Sequence, residues 1–482
     1  MNKTTTLCIN DILPPEILDY IFSFLGLVGN KAVAKHVCHY WNNLIRFTRP
    51  YILVNEMMLS FAVQGFIKLL DWGRSKKFSW IPYYGFEAAR FGRLNVLKWA
   101  RKHKKEINKD AYYMAAAEGH IDILKWGEHQ DYYFPRETHR ICQSAAIGGH
   151  IKILKWARSK NFQWDEYCCE KAALRGKIKT LQWLRKQGCP WDHKVCTSAA
   201  NSGHLNILKW AIDQGCDCNA EETLSEAARN GHLHIIQWLC ENGFPSFAST
   251  CEHAAFGKHL ELLQWLHAHK FPWDKKTCYA AASQEHFEIL RWLREKNCPW
   301  DEQVCAIIAV RGNLEMLKWA RENGAPWNSE TCNAAVRNGH VHILDWARQN
   351  GCPWVANIFK YITSSKKPLE MLQCILRNNY EWPNDVCYYL SRSKNLSLLQ
   401  WARSQNYSWD KRVCYEAAKR GDLEMLKWAK INGCPWNTQE ILQLKRIYDS
   451  PQDRKLQAWV KKYLKNQRRE KQKTKKNTSA LI

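Results

Sequence analysis

Cysteine and histidine are the residue types here whose number and spacing could do chemistry. The chain carries 20 cysteines and 18 histidines, enough for a disulfide framework, a set of zinc sites or reactive thiols. Their spacing argues for something else. Cys142, Cys169, Cys196, Cys251, Cys278, Cys305, Cys332, Cys387 and Cys414 each sit 14 positions before the same point of a recurring pattern, and Cys189, Cys216, Cys298, Cys352 and Cys434 fill a loop slot after Gly or Asn. Thiols locked to one phase occupy one repeated packing niche, where a free cysteine acts as a small buried hydrophobe in a reducing compartment. The runs Cys168-Cys169 and Cys216-Asp217-Cys218 lack the paired spacing of a zinc site. His120, His150, His204, His232 and His340 all follow a glycine in the same turn, where an imidazole bonds backbone or caps a helix. No nucleophile elbow, glycine-rich phosphate loop, zinc-protease helix or catalytic His/Asp set escapes the phase. The expectation is no catalytic residue, no metal and no cofactor.

The element that must position these residues is the stretch from Cys305 to Trp327. Its Cys305, Ala309, Gly312, Leu314, Leu317 and Trp319 recur in register as Cys196, Ala200, Gly203, Leu205, Leu208 and Trp210, and again from Cys414 to Trp428. The first tryptophan of the unit falls at 72, 99, 126, 156, 183, 210, 238, 265, 292, 319 and 346, is replaced by Cys374, and returns at 401 and 428. A period of 27 to 28 residues predicts an all-α solenoid of about 14 helix-turn-helix repeats. Small residues such as Cys196, Ala199 and Ala200 place a close-packing face on the first helix, and Leu314, Met316, Leu317, Trp319 and Ala320 form a broad apolar stripe on the second. Gly324 stands where a glycine cap ends that helix, and Asp165, Asp192, Asp274, Asp301, Asp410 and Asn437 stand where the next helix needs its N-cap. A second tryptophan series (80, 164, 191, 273, 300, 327, 354, 382, 409 and 436) falls in the turn and is expected to fold back over the helices. Apart from Trp41 and Trp459, all 25 tryptophans belong to these two series. Their packing is the expected source of the array's stability, and base stacking is not the reading.

Charge and ends fill in the rest. The formal net charge is +25, and from Asp453 to Ile482 eleven Lys or Arg stand against two acids, 11 − 2 = 9 of the excess. Much of the remainder comes from the Lys of LKW and the Arg of WAR, a pattern that reads as a solvated helix face. The basic segment 465–482 is expected to be a disordered tail, a solvated extension or a nuclear address rather than a specific nucleic-acid binder. No apolar run reaches 18 residues and the N-terminus lacks a secretory pattern, so the expected setting is intracellular and cytoplasmic, without membrane. The divisions expected are a flexible 1–10, a helical segment 11–48, the repeat array 55–440, a C-terminal cap 441–464 and the tail.

The segment 11–48 opens with Leu13-Pro14-Pro15-Glu16, continues through Ile17, Leu18, Ile21, Phe22 and Leu25, and closes with Val37-Cys38-His39-Tyr40-Trp41. It resembles the F-box. The connection from Gly26 to Asn30 departs from that family's polar turn. The resemblance implies that Leu13, Pro14, Pro15, Ile17, Leu18, Ile21, Phe22, Leu25, Val37 and Trp41 form the surface for a Skp-type adaptor, and through it a cullin ligase. The repeat unit resembles the ankyrin repeat in its Ala-Ala-x-x-Gly-His-Leu-x-x-Leu-Lys core, for example Ala199 to Lys209. It lacks that family's Thr-Pro-Leu-His opening and is shorter, so the projecting hairpin is expected to shrink to a Cys-Pro-Trp-Asp turn. A long Trp-rich array behind an F-box is similar to the ankyrin-repeat proteins of giant DNA viruses of amoebae, which implies a host-cell setting. Together these resemblances imply a substrate receptor of a Skp-cullin-F-box ubiquitin ligase, its repeats holding an unidentified target protein. The alternative is a non-catalytic ankyrin scaffold without a ubiquitin role, its N-terminal helices serving only to cap the array.

Overall fold

The computed structural model describes residues 50–129, 137–354, 358–378, 380, 382–393, 395–444, 455–466 and 469. Among these, helices follow one another with no strand between them, in fourteen antiparallel pairs from Pro50–Gln64 with Ile67–Ser75 to Lys411–Lys419 with Leu423–Ile431. The fold is the expected all-α solenoid of helix-turn-helix repeats. The helices gather into two compact units, one ending at Pro245 and one beginning at Ser246, each holding seven of the pairs. Residues 1–49, which carry every adaptor-binding position from Leu13 to Trp41, lie outside the described residues, as does the tail beyond 469.

One repeat shows why the sequence folds this way. The helix Glu302–Arg311 starts where Asp301, in extended conformation, accepts the Gln303 N–H at 3.0 Å. Such a cap satisfies a backbone donor that the helix itself leaves unpaired. Val304, Cys305, Ile308 and Ala309 are buried along one side, the i, i+3, i+4 spacing of a helix stripe. Gly312 ends the helix at φ +85 with its N–H on the Ile308 carbonyl at 3.0 Å. Asn313 then caps Leu314–Glu322 through the Met316 N–H, and Met316, Leu317 and Ala320 are buried. Gly324, at φ +83, turns the chain out of the second helix, and nothing lies within 4 Å of where its Cβ would be.

The same corner elsewhere holds Asn161, Asn297 and Asn406, or Lys77, Lys104 and Lys270, all at positive φ. The N-cap expectation holds at Asp274, Asp301, Asn328, Asp410 and Asn437, each of which accepts a backbone N–H. Asp192 accepts the Lys194 N–H at 3.1 Å from one position further back. Asp165 makes no cap bond; its carboxylate instead takes the Gln143 amide of the preceding repeat at 2.7 Å. The divergent repeat after Trp354 has a first helix of only four residues, Phe359–Ile362, and a second, Pro368–Arg377, with proline in its first turn. Cys374, in the tryptophan slot, is fully buried there. At the C-terminal end a helix over 455–466 buries Leu456 and Val460, with Trp459 6.1 Å from Trp436 ring to ring.

The core differs from the tryptophan-centred expectation. Its fully enclosed side chains are the Leu and Ile pairs of the second helices, the alanines of the first, and the cysteines. Among the first-series tryptophans Trp99 is buried, while Trp156, Trp183, Trp210, Trp292, Trp319 and Trp346 are half-buried. An indole is too large for the gap between closely approaching small-residue helices, and its N–H needs a polar neighbour. It therefore lies along the seam between second helices.

Candidate partner-binding surface

The cysteines occupy the niche their phase implies. All nine of the helix series, and Cys189, Cys298, Cys352 and Cys434 of the loop series, are fully buried, and Cys216 is nearly so. The loop thiols point at one recurrent acceptor, the carbonyl of the N-cap residue 24 positions earlier: Cys189 to Asp165 and Cys352 to Asn328 at 3.4 Å, Cys298 to Asp274 at 3.6 Å. Burial pushes the thiols of Cys142, Cys251 and Cys305 up to about 12, so they stay neutral. Among the described residues no group of three or more His, Cys, Asp or Glu could hold a metal ion, and no helix is long and apolar enough to cross a membrane.

The histidines of the Gly-His turn bond backbone, and they do so across a repeat boundary. His120 Nε2 reaches the Arg90 carbonyl at 2.9 Å, His150 that of Ala117 at 3.0 Å, and His232 that of Asn201 at 3.1 Å. In the second unit His340 reaches Val310 at 3.0 Å, and His286, which follows Glu285 at positive φ instead of a glycine, reaches Phe256 at 3.2 Å. Each ring thereby pins the last turn of the preceding first helix. For His286 and His340 burial outweighs the carbonyl bond and lowers the imidazole below its ordinary value.

A second clasp joins helix to turn. The arginine of WAR, or of WLR at 294, is exposed at 158 and half-buried at 294, 321, 348 and 403, but it is not free on the surface. It folds back, donates to the carbonyl four residues on and covers the turn tryptophan six residues on. Arg158 donates to Phe162 at 2.8 Å and lies 4.3 Å from the Trp164 ring centre; Arg294 donates to Cys298 at 2.7 Å and lies 4.1 Å from Trp300. Arg321 does the same with Ala325 and Trp327. The turn tryptophans do fold back over the helices: several meet the next second-helix tryptophan edge to face, Trp164 with Trp183 at 6.1 Å, Trp300 with Trp319 at 6.0 Å, Trp327 with Trp346 at 5.8 Å, while Trp80 with Trp99 and Trp382 with Trp401 are tilted. The guanidinium is held because a planar cation both stacks on indole and donates to a carbonyl. The lysines of LKW, by contrast, are exposed at 98, 125, 155, 209 and 318, as the charge pattern implies.

What these clasps leave open is one face of the first helices. Counting from the nine buried cysteines of the helix series, the residue two before is never buried, and the residues one after and five after are open except at Thr197, Asn333 and Ser283. In the first unit this face exposes Tyr83 and Tyr167, with Arg140 lying 4.7 Å over Tyr113 and Lys194 5.1 Å over Tyr167. In the second it exposes Phe256, Tyr279 and Val310 on three successive first helices, 36 to 37% accessible each. Residue types change here from repeat to repeat while the cysteine, alanine and leucine positions stay fixed. Large apolar and aromatic groups on a rigid, regularly spaced face suit a protein partner.

Residues 169–248 match a family model described as ankyrin repeats (3 copies), and residues 251–294 one described as ankyrin repeats (many copies). The solenoid is thus an array of ankyrin repeats, an architecture of protein–protein interaction and typically a non-catalytic binding scaffold. Among solved structures it is similar to the human ASB11 ankyrin repeat domain, with 19% identity over 33% of this chain and 84% of that one and a TM-score of 0.28. It is also similar to the pentatricopeptide repeat protein PPR10 from maize, with 10% identity over 90% of this chain and 80% of that one and a TM-score of 0.27. No curated protein matches the chain.

Proposed function

We propose that this protein is a non-catalytic receptor that holds a target protein on the first-helix face of its ankyrin repeats and presents it to a Skp-cullin-F-box ubiquitin ligase. The observation that carries target binding is the row of exposed, variable side chains at Phe256, Tyr279 and Val310 on a framework whose other positions are fixed by packing. The adaptor half rests on the F-box resemblance of Leu13, Pro14, Pro15, Ile17, Leu18, Ile21, Phe22, Leu25, Val37 and Trp41. In this reading catalysis belongs to the ligase, and the receptor contributes proximity. The resemblance to ankyrin proteins of giant DNA viruses of amoebae supports a setting in the cytoplasm of an infected host cell, with the basic tail as a nuclear address.

The full-length protein is expected to capture a purified Skp-type adaptor, and Ile21→Asp with Phe22→Asp to abolish capture while leaving the array folded. Failure of the intact protein to bind the adaptor removes the ligase role. Replacing Phe256, Tyr279 and Val310 by Ala is expected to release the target in affinity purification with or without proteasome inhibition. Deleting residues 1–48 separates the readings. A scaffold without ubiquitin role keeps its partner and changes nothing downstream, whereas a ligase receptor keeps its partner but loses target turnover.

A further inference from the structure

The second helices of the first unit carry a row of lysines that packing does not explain. Lys98, Lys125, Lys155 and Lys209 hold one position in their helices and Lys152 and Lys179 another, and all of them are exposed. The ion-paired lysines of this unit, Lys109, Lys160, Lys171 and Lys194, lie outside the second helices; those of the row form no ion pair among the described residues. The middle of the row is the adjacent pair Ile151–Ser159 and Ile178–Lys186, neither of which contains an acid, whereas Asp122 and Asp213 stand on the flanking helices. Between that pair Lys177 replaces the turn histidine, its stem 2.9 Å from where a Cβ on Gly149 would stand. Lys209 Nζ lies 5.4 Å from the ring centre of Trp238 on the next second helix, so side chains of the row span neighbouring repeats.

Helix stability does not account for these cations. At the position of Lys152 and Lys179 the second unit holds Glu261, Glu288, Glu315 and Glu424, the charge that the amino end of a helix favours. Asn95, His234 and His342 at the same position bond back to the carbonyls of Gly65, Gly203 and Gly312 at 3.0, 3.2 and 3.0 Å. Lys152 and Lys179 do neither, and each puts a cation at the helix end that repels one.

We propose that the row is a docking surface for an acidic polypeptide segment, a run of Asp and Glu laid across the second helices of the first unit. Charge complementarity carries the inference: exposed cations without partners, at positions where they oppose the helix dipole, call for an anion from outside the chain. Neighbouring helices pack about 8–10 Å apart and an extended chain advances about 3.3 Å per residue, so about every third residue meets the next lysine. The surroundings favour a polypeptide over a nucleic acid. The indoles beside the row are already covered, Trp164 by Arg158, Trp191 by Arg185 and Trp238 by Lys209, whereas bases need an open ring on which to stack. The arginines that could fork onto phosphates are held on the carbonyls of Phe162 and Cys189. The inference does not depend on the target-binding reading of the first-helix face.

The test uses the full-length protein and a fluorescein-labelled peptide of about 15 glutamates, roughly 50 Å when extended, read by fluorescence anisotropy at low and high salt. Binding that weakens steeply with salt is expected, with no binding of a glutamine peptide of the same length. Lys152→Glu with Lys155→Glu and Lys179→Glu should lower the affinity about tenfold or more, and the melting temperature should hold, because the reversals at 152 and 179 suit the helix ends. Lys318→Glu with Lys427→Glu, at the equivalent position in the second unit, should leave the affinity unchanged. Carbodiimide coupling of the peptide carboxylates to lysine amines should place the links at Lys152, Lys155 and Lys179. Links confined to the tail 465–482, an affinity indifferent to the triple reversal, or a nucleic-acid duplex or phosphatidylserine vesicle held more tightly than the peptide through these same lysines would overturn the proposal. If the reversed chain loses its helical circular dichroism, Gln at the same positions removes the charge alone and decides by the same loss of affinity.

Discussion

The imidazole of His340 occupies the space that a side chain at Gly312 would need. A Cβ at Gly312 would meet His340 Cε1 at 2.5 Å, and the same ring holds the Val310 carbonyl at 3.0 Å. Gly92 and His120, Gly119 and His150, and Gly203 and His232 repeat the relationship. The glycine therefore serves twice, once for its left-handed backbone and once for the neighbour's ring.

Gly312→Ala should thus cost more than backbone strain alone, which is about 1–2 kcal/mol for a non-glycine residue in that conformation. Chemical denaturation measures it. His340→Ala in the same chain should recover part of the loss, a non-additivity expected only of groups in contact.

The lowered imidazoles of His286 and His340 give a pH dependence with a definite sign. The unfolded chain binds protons at these groups near 6.5 while the folded chain resists, so their contribution is complete above about 6.5 and is lost as pH falls through the lower folded value. Lys258 and His259 face His286, and His342, Lys366 and Lys367 face His340, all in the same direction. The melting temperature of His340→Gln should fall less between pH 7.5 and 5.5 than that of the parent. An unchanged slope would count against it.

Thr277 and Thr331, each just before a niche cysteine, are fully buried with hydroxyls that have no hydrogen-bond partner. The equivalent residues Val195, Val304 and Val413 are buried valines. Thr277→Val should therefore stabilise the protein by about 1 kcal/mol, the low end of what an unsatisfied buried polar group costs. A denaturation midpoint that shifts downward would contradict this.

Arg321 bonds the Ala325 carbonyl and covers Trp327. Replacing it by Met, which keeps the stem but loses the planar cation, should destabilise by roughly 1–2 kcal/mol. A double-mutant cycle with Trp327→Leu should show a coupling of about 0.5 kcal/mol or more; strict additivity would mean that the stacking contributes nothing.

Much of this was legible in the sequence because the repeat is written in residue types that do one thing. Cys305, Ala309 and Leu317 keep phase since only small or aliphatic groups fit where helices approach, and burial follows. His340 reads as a backbone-bonding turn residue from its place after Gly339, although its acceptor in the preceding repeat can be found only in three dimensions. Arg321 reads from the sequence as a solvated cation, whereas it is half-buried over Trp327. Helix periodicity puts it outward, and the signal that corrects it, an indole always six residues ahead, lies in a turn that periodicity does not describe. The indoles are less central than the sequence implies: hydrophobic counting ranks Trp319 above Leu317, whereas volume and the indole N–H keep it at the seam. Residues 1–49 carry the most specific functional resemblance and lie beyond what the structure describes.

The histidine clasp has a direction. In each case cited the ring reaches back to the carbonyl of the preceding repeat, and at Arg90, Phe256 and Val310 that carbonyl belongs to a residue on the exposed first-helix face. Within each compact unit a repeat thus loses its recognition geometry when its successor frays, even if its own helices remain wound. Amide exchange at the ends of the first helices should accordingly report the integrity of the following repeat, and a bound partner bridging several repeats would slow that exchange beyond its own footprint.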